Sequence, residues 1–220
     1  MQKKLLIVIV ILLVGAGIAF LLYQSNQKAV EKALNRIIPY QSSTGGEACL
    51  ADLEERGIEF QSLGTSAEND ICTIYDAVKI RNFPNTKMSG AVTLNCQTAI
   101  DLADWFEEIG AKEVKHMGSY NCRKIRGSSH FWSQHSFGSA VDISHINGAS
   151  LKADWFKNNE NSKYLKRAGK DACHYFSNVL TPETNAAHHD HFHLDNGPRF
   201  GSCGHGWINF INNAANYFLN

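Results

Sequence analysis

The sequence predicts an α+β domain with a central antiparallel sheet flanked by helices, carried on one N-terminal transmembrane helix. Segments of helical and strand periodicity are mixed without βαβ alternation, which favours an antiparallel sheet over a doubly wound one. One long apolar run opens the chain. The 220 residues, 44% hydrophobic with only four prolines, then suit one globular domain of ordinary size plus that appendage.

Residues 1–4 form a cytoplasmic tip, with Lys3 and Lys4 ahead of an apolar run from Leu5 to Leu22 that Tyr23 closes. At roughly 1.5 Å per residue, the ~19 residues of segment 5–23 nearly span a ~30 Å hydrocarbon core, and they exceed the ~7 to 15 residues of a signal-peptide core. No small-x-small cleavage signal follows and no cysteine offers a lipid attachment site, so the run reads as a retained signal anchor with its lysines inside. A cleaved signal peptide is the alternative. The anchor implies a single pass through the inner (cytoplasmic) membrane, with the domain in the periplasm or extracytoplasmic space. Residues 24–46 read as a juxtamembrane helix and linker, with Ala29, Val30, Ala33, Leu34 and Ile37 at helical spacing before Pro39.

The globular part, 47–220, opens with a short helix from Cys49 to Arg56 that Gly57 ends, followed by the alternating Ile58-Glu59-Phe60-Gln61. Ile71 to Ile80 and Ser89 to Leu94 are expected strands on either side of the turn-rich Asn82-Phe83-Pro84-Asn85. Ala99, Leu102, Ala103, Phe106 and Ile109 form the apolar stripe of a helix that Gly110 terminates. Val114 to Tyr120 is then a strand. A second stripe of Leu165, Ala168, Ala172, Tyr175, Phe176 and Val179 predicts a helix stopped by Pro182, and a last helix is expected from about Trp207 to Phe218.

Charge excludes one class of partner. The 21 basic and 21 acidic side chains balance and no Lys/Arg run follows the N-terminus, so the chain has no electrostatic footprint for nucleic acid. Six cysteines are scattered singly with no Cys-x-x-Cys pair, which argues for disulfides in an oxidising compartment over a zinc finger. Fifteen pairings are possible for six cysteines. Local pairs are expected: Cys49 with Cys72, Cys96 with Cys122, and Cys173 with Cys203.

Two short stretches carry the chemistry. In Ser133-Gln134-His135-Ser136-Phe137-Gly138-Ser139-Ala140-Val141-Asp142, Gly138 permits a turn and the strand that follows sets Asp142 opposite in facing to Val141 and Ile143. In His188-His189-Asp190-His191-Phe192-His193, strand alternation sends His191 and His193 to one face and Phe192 and Leu194 to the core. Taken singly, His135 or Asp142 reads first as a surface or turn residue; a solvated histidine-rich loop is the alternative for the second stretch, and Phe192 and Leu194 disfavour it by making the segment look half buried. Together, His135, Asp142 and His193 make two imidazoles and a carboxylate with a position left open, the donor set of catalytic zinc. The idea fails if Asp142 and His193 lie more than about 6 Å apart, since bonds to one ion are near 2 Å.

At these residues the sequence resembles the zinc D-alanyl peptidases and the hedgehog-like fold to which they belong. More closely, Cys49-Leu50, Leu94-Asn95-Cys96, Tyr120-Asn121-Cys122-Arg123 and Asn185-Ala186-Ala187-His188 leading into His-Phe-His-Leu-Asp resemble the bacterial extensin-like C-terminal domain family, from about Glu47 to about Cys203. The resemblance implies that His135, Asp142 and His193 bind Zn2+. It offers both His191 and Asp190 as the base that deprotonates the attacking water; alternation favours His191, because Asp190 turns away and is shorter than the usual glutamate. His188 matches a histidine suited to stabilising an oxyanion. Arg123 matches an arginine suited to gripping a peptide carboxylate, with a structural salt bridge as the competing role. Ser133 falls within the substrate-binding part of the motif.

The activity so implied is zinc-dependent hydrolysis of a peptide bond in peptidoglycan, without a covalent intermediate. A serine hydrolase is disfavoured because no Gly-x-Ser-x-Gly elbow occurs. Two other classes stand beside the enzyme: a zinc-stabilised cell-wall-binding scaffold that has lost turnover, and a disulfide-braced structural domain without metal.

Overall fold

The computed structural model describes residues 46–198 and Cys203. The expected tip, anchor and linker before Gly46, and the helix expected from Trp207, lie outside the described residues. Among the described residues no helix is long and apolar enough to cross a membrane.

The described residues form a mixed α+β fold on two sheets. Helix α1 (Gly46–Glu55) ends at Gly57, and strands β1 (Phe60–Ala67) and β2 (Thr73–Ile80) form an antiparallel pair that β4 (Val92–Asn95) extends on the far side of β2. The second sheet runs β3 (Lys87–Met88), β5 (Glu113–Gly118), β6 (Ala140–Ile146), β9 (Phe192–Asp195), β8 (Asn178–Leu180), with β7 (Ala149–Ser150) folded back on β6. Its pairs are antiparallel except the short β3–β5 edge, which is parallel. The expectation of one central sheet is corrected to this extent: the first hairpin belongs to a smaller sheet of its own.

Helix α2 (Cys96–Glu108) begins where β4 ends. The Asn95 side chain accepts the Thr98 N–H at 2.8 Å, which caps a first turn whose amides lack helical partners. The expected stripe is its buried face, and Gly110 at φ +63° follows it as expected. Short helix α3 (Leu151–Asp154) leads to α4 (Glu160–Ala172), capped by Asn159. Trp105 of α2 donates from Nε1 to the Ala168 carbonyl of α4 at 3.0 Å, so the two helices are joined through a polar bond inside an apolar core. Gly169 lets α4 lie close against the sheet, since a Cβ there would stand 3.0 Å from the Phe192 ring.

The second stripe corrects one expectation. The helix stops at Ala172, whereas Phe176 is buried in an irregular turn and Val179 belongs to β8, paired with Leu194. Burial continues past the helix, and the repeat of apolar residues records burial, which a core-facing turn and strand satisfy equally.

All six cysteines pair, as Cys49–Cys96, Cys72–Cys122 and Cys173–Cys203. The last pair agrees with the expectation and the first two replace it. Helix α2 starts beside α1, which brings Cys96 to Cys49 across 47 residues, and Cys72 in the β1–β2 connection meets the segment after β5. Neighbours in sequence are carried apart by the strands between them.

Candidate metal centre

Strands β6 and β9 set up the centre. Asp142 and His193 are direct partners across this antiparallel pair, so their side chains share a face, while Val141, Ile143, Phe192 and Leu194 fill the core behind them. On the other side of Asp142 the partner is Gly118, where a Cβ would meet nothing within 4 Å. That leaves the approach to Asp142 open. His135 arrives from the 3-10 turn Gln134–Phe137, which closes on Gly138 in the left-handed conformation. A Cβ at Gly138 would stand 2.9 Å from the Asn95 nitrogen and from Ile74, so only glycine suits both the backbone angle and the space.

Three side chains converge. His193 Nδ1 lies 2.9 Å from Asp142 Oδ1, His135 Nε2 lies 3.2 Å from Asp142 Oδ2, and the two ring nitrogens are 3.2 Å apart. Ligands at ~2.0 Å around a tetrahedral ion stand about 3.3 Å apart; the two imidazoles already have that spacing, each reaches a different oxygen of Asp142, and one ligand atom from each residue lies within 4.8 Å of the others. These three are also the group of donors in the described residues able to share an ion.

The far nitrogen of each imidazole is held as well. His135 Nδ1 is 2.5 Å from the Ser119 carbonyl oxygen, and His193 Nε2 is 3.0 Å from Asp195 Oδ2. Asp195, 4% exposed, accepts at Oδ1 from Asn178 Nδ2 at 2.9 Å and from the Gly197 N–H at 2.8 Å. Metal-binding histidines are oriented in this way, through a second partner that fixes ring and tautomer. The donor set therefore fits a divalent ion such as zinc.

Charge follows the same geometry. Burial disfavours ionisation of Asp142, but hydrogen bonds from His135 and His193 hold its carboxyl well below the usual range. Burial also opposes charge on His193, yet its bonds to Asp142 and Asp195 win and push it up to about 9.

The remaining expected residues divide. His191 lies at the edge of the centre with Nε2 3.7 Å from Asp142 Oδ1, and its Nδ1 is 2.7 Å from Asp190 Oδ1. Asp190 is not turned idly away: it braces His191, and that hydrogen bond keeps its carboxyl below the usual value. The ring of His188 lies 5.3 Å from that of His191 and 5.7 Å from that of His193. Burial, then the charges of His193 and His191, push it down to about 4. Asn185 Oδ1 accepts from Ala187 N–H and faces His188 Nδ1 at 2.8 Å, so the neutral ring carries its proton on Nδ1 and presents Nε2 as an acceptor. An oxyanion needs a donor there. Ser133 is buried, with its N–H donating to the Arg123 carbonyl and its own carbonyl accepting from Ser136. Arg123 is exposed, and among the described residues it forms no ion pair; its N–H donates to Ser136 Oγ at 2.9 Å.

Sequence reasoning missed Asp195, Asn178 and Ser119. Asp195 had a signal, since it continues the alternation of His191 and His193 on one face. Asn178 and Ser119 had none, because they reach the site from β8 and from the segment after β5.

The family model described as Extensin-like protein C-terminus matches residues 47–204, a span that contains every residue of this centre. No curated protein and no solved structure matches the chain.

Proposed function

The chain belongs to the family of extensin-like protein C-termini, and from the centre it carries we propose a zinc-dependent hydrolase of peptidoglycan peptide bonds, working in the cell envelope. The observation that carries the reading is the convergence of His135, Asp142 and His193 with both far ring nitrogens braced, beside a carboxylate-supported His191 that is not one of the three. A purely structural ion has no use for that third imidazole. The same reading relates the domain to the zinc D-alanyl peptidases and their hedgehog-like fold, supported by donors on adjacent antiparallel strands. The N-terminal apolar run supplies a membrane anchor, and three disulfides suit an oxidising compartment outside the cytoplasm.

His135 through Nε2, Asp142 through a carboxylate oxygen and His193 through Nδ1 would hold the ion. When bound, zinc supplies Lewis acidity, lowering the pKa of water toward ~7 and polarising the scissile carbonyl. His191 Nε2 accepts the proton of the attacking water and returns it to the leaving amine, while Asp190 at Nδ1 steadies the ring and its positive charge. Asp195 keeps the His193 proton on Nε2, so that Nδ1 carries a lone pair. Arg123 is exposed to grip a carboxylate of the peptide. His188 Nε2, an acceptor in the neutral ring, is suited to an amide N–H of the substrate.

The test is incubation of the full chain with purified sacculi, with and without chelator, and chromatography of the products. New muropeptides that vanish with chelator are expected. Unchanged sacculi from a folded, zinc-loaded chain refute turnover and leave the scaffold.

A further inference from the structure

His135 is the donor that the sheet does not place. Asp142 and His193 are paired across β6 and β9, so the ladder fixes their separation, whereas His135 rides on the turn Gln134–Phe137. A ligand has to be held to about 0.5 Å for one ion to be shared by all three. Contacts outside the ladder must set that turn.

On one side the segment after β5 holds it. Ser136 Oγ lies 3.2 Å from the Asn121 carbonyl oxygen and 2.9 Å from that of Arg123, and Asn121 N–H donates to the carbonyl of His135. On the other side the turn meets the end of β9 through Gln134, Ser139 and Gly197. Ser139, 7% exposed, joins the two: its N–H donates to the Gln134 carbonyl at 3.2 Å, and its own carbonyl accepts from Asn196 N–H at 3.0 Å. The Ser139 hydroxyl lies 2.8 Å from Gln134 Oε1, and the glutamine side chain rests directly on Gly197, where a Cβ would stand 2.4 Å from Gln134 Cδ and 2.7 Å from its Cγ. Gly197 is not among the left-handed glycines, so its missing side chain serves this close approach and not a backbone angle. Gly197 N–H in turn donates to Asp195 Oδ1 at 2.8 Å, and Asp195 Oδ2 faces His193 Nε2 at 3.0 Å. The contacts therefore run from the residue before one metal-binding histidine to the carboxylate behind the other. Their far end is rooted in α2, where Asp101 Oδ2 accepts from Asn196 Nδ2 at 2.8 Å.

We propose that Gln134, Ser139 and Gly197 are positioning residues of the metal centre, which together set the distance between His135 and His193. None of the three is a ligand. Gln134 and Ser139 act through the turn that bears His135, and Gly197 acts through Asp195. The proposal deepens the reading of the centre given above and rests on it.

The test is zinc affinity of the full chain in mild detergent, by chelator competition, with the melting temperature of the metal-free chain measured beside it. Gln134→Ala and Gly197→Ala are each expected to weaken zinc binding about tenfold or more, Gln134→Ala with an unchanged melting temperature. Their double variant shows whether they act as one contact. Without the glutamine side chain the added methyl has room, so the double variant is expected to bind within twofold of Gln134→Ala alone. Losses that multiply in the double variant overturn the proposal, as do single variants that bind like the parent. If Gly197→Ala does not fold, the same cycle on Gln134→Ala and Ser139→Ala decides, because each removes one end of the same hydrogen bond. Turnover is read separately on purified sacculi. Weakened zinc binding in the variants beside sacculi that the parent leaves intact sinks the hydrolase alone; sacculi cut by the parent beside variants of undiminished affinity sink the positioning alone. A folded parent without zinc affinity sinks both.

Discussion

Replacing Asp195 by Asn changes one atom and tests how the centre is organised. Asp195 Oδ1 accepts from Asn178 Nδ2 and Gly197 N–H, and Oδ2 faces His193 Nε2. An asparagine that keeps its oxygen toward the two donors turns its NH2 toward His193, which then must accept at Nε2 and carry its proton on Nδ1, where an ion should bind. The opposite flip sets NH2 against two donors in a site 4% exposed. Both outcomes weaken the metal site. Loss of a partner behind a metal-binding histidine typically costs 10–100-fold in affinity, about 1.4 to 2.8 kcal/mol. Zinc affinity is measured by chelator competition, and the melting temperature of the metal-free variant reports separately on folding. A variant that folds and binds zinc within twofold of the parent refutes the proposed role of Asp195.

Other expectations follow from the same geometry. His193→Ala should lose zinc, whereas His191→Ala should keep it and lose turnover by ~10²–10⁴-fold; equal zinc loss in both, by metal analysis after dialysis, makes His191 a ligand. Because His193 is raised to about 9 in the metal-free site, zinc binding at pH 7 should release about one proton, measured by calorimetry in buffers of different ionisation enthalpy. The sign for folding is the same: a raised histidine stabilises the metal-free fold fully below its unfolded value of 6.5, and that contribution is lost as pH rises through about 9, visible as a falling melting temperature. Replacing Cys72 and Cys122 by serine opens a 50-residue loop and should cost about 4 kcal/mol in denaturant unfolding. Gly138→Ala, at φ +62°, should cost at least ~1–2 kcal/mol and weaken zinc binding by moving the turn that bears His135.

Fold class was legible wherever burial and local geometry spoke together. The stripe of α2 ends at a glycine that adopts the left-handed angle, and β6 alternates as Val141 and Ile143 require. It was misleading where burial alone spoke, as past Ala172, because Phe176 and Val179 are core residues outside a helix. Disulfides were legible as a state of the cysteines and, as pairs, only for Cys173 with Cys203; the other two pairings depend on where β2 and α2 deliver the chain.

The centre divides along the same line. Asp142, His191 and His193 are placed by strand parity or its immediate edge, a local rule that a sequence states directly. Asp190 and His188 depend on contacts parity does not describe. Asp190 departs from the strand face and still serves it, by bonding the outer nitrogen of His191. His188 is controlled from Asn185, three residues upstream, whose oxygen is committed by the Ala187 amide and so selects the tautomer. A histidine's identity thus gives only its repertoire, and the atom behind it chooses between donor and acceptor. In this centre, Ser119, Asp195, Asp190 and Asn185 each stand behind one imidazole. Four rings of one chemical type are thereby held differently: on the proposed reading His135 and His193 would turn lone pairs to a shared ion once it displaces their protons and His191 would take up a proton, while burial and its cationic neighbours keep His188 from readily charging.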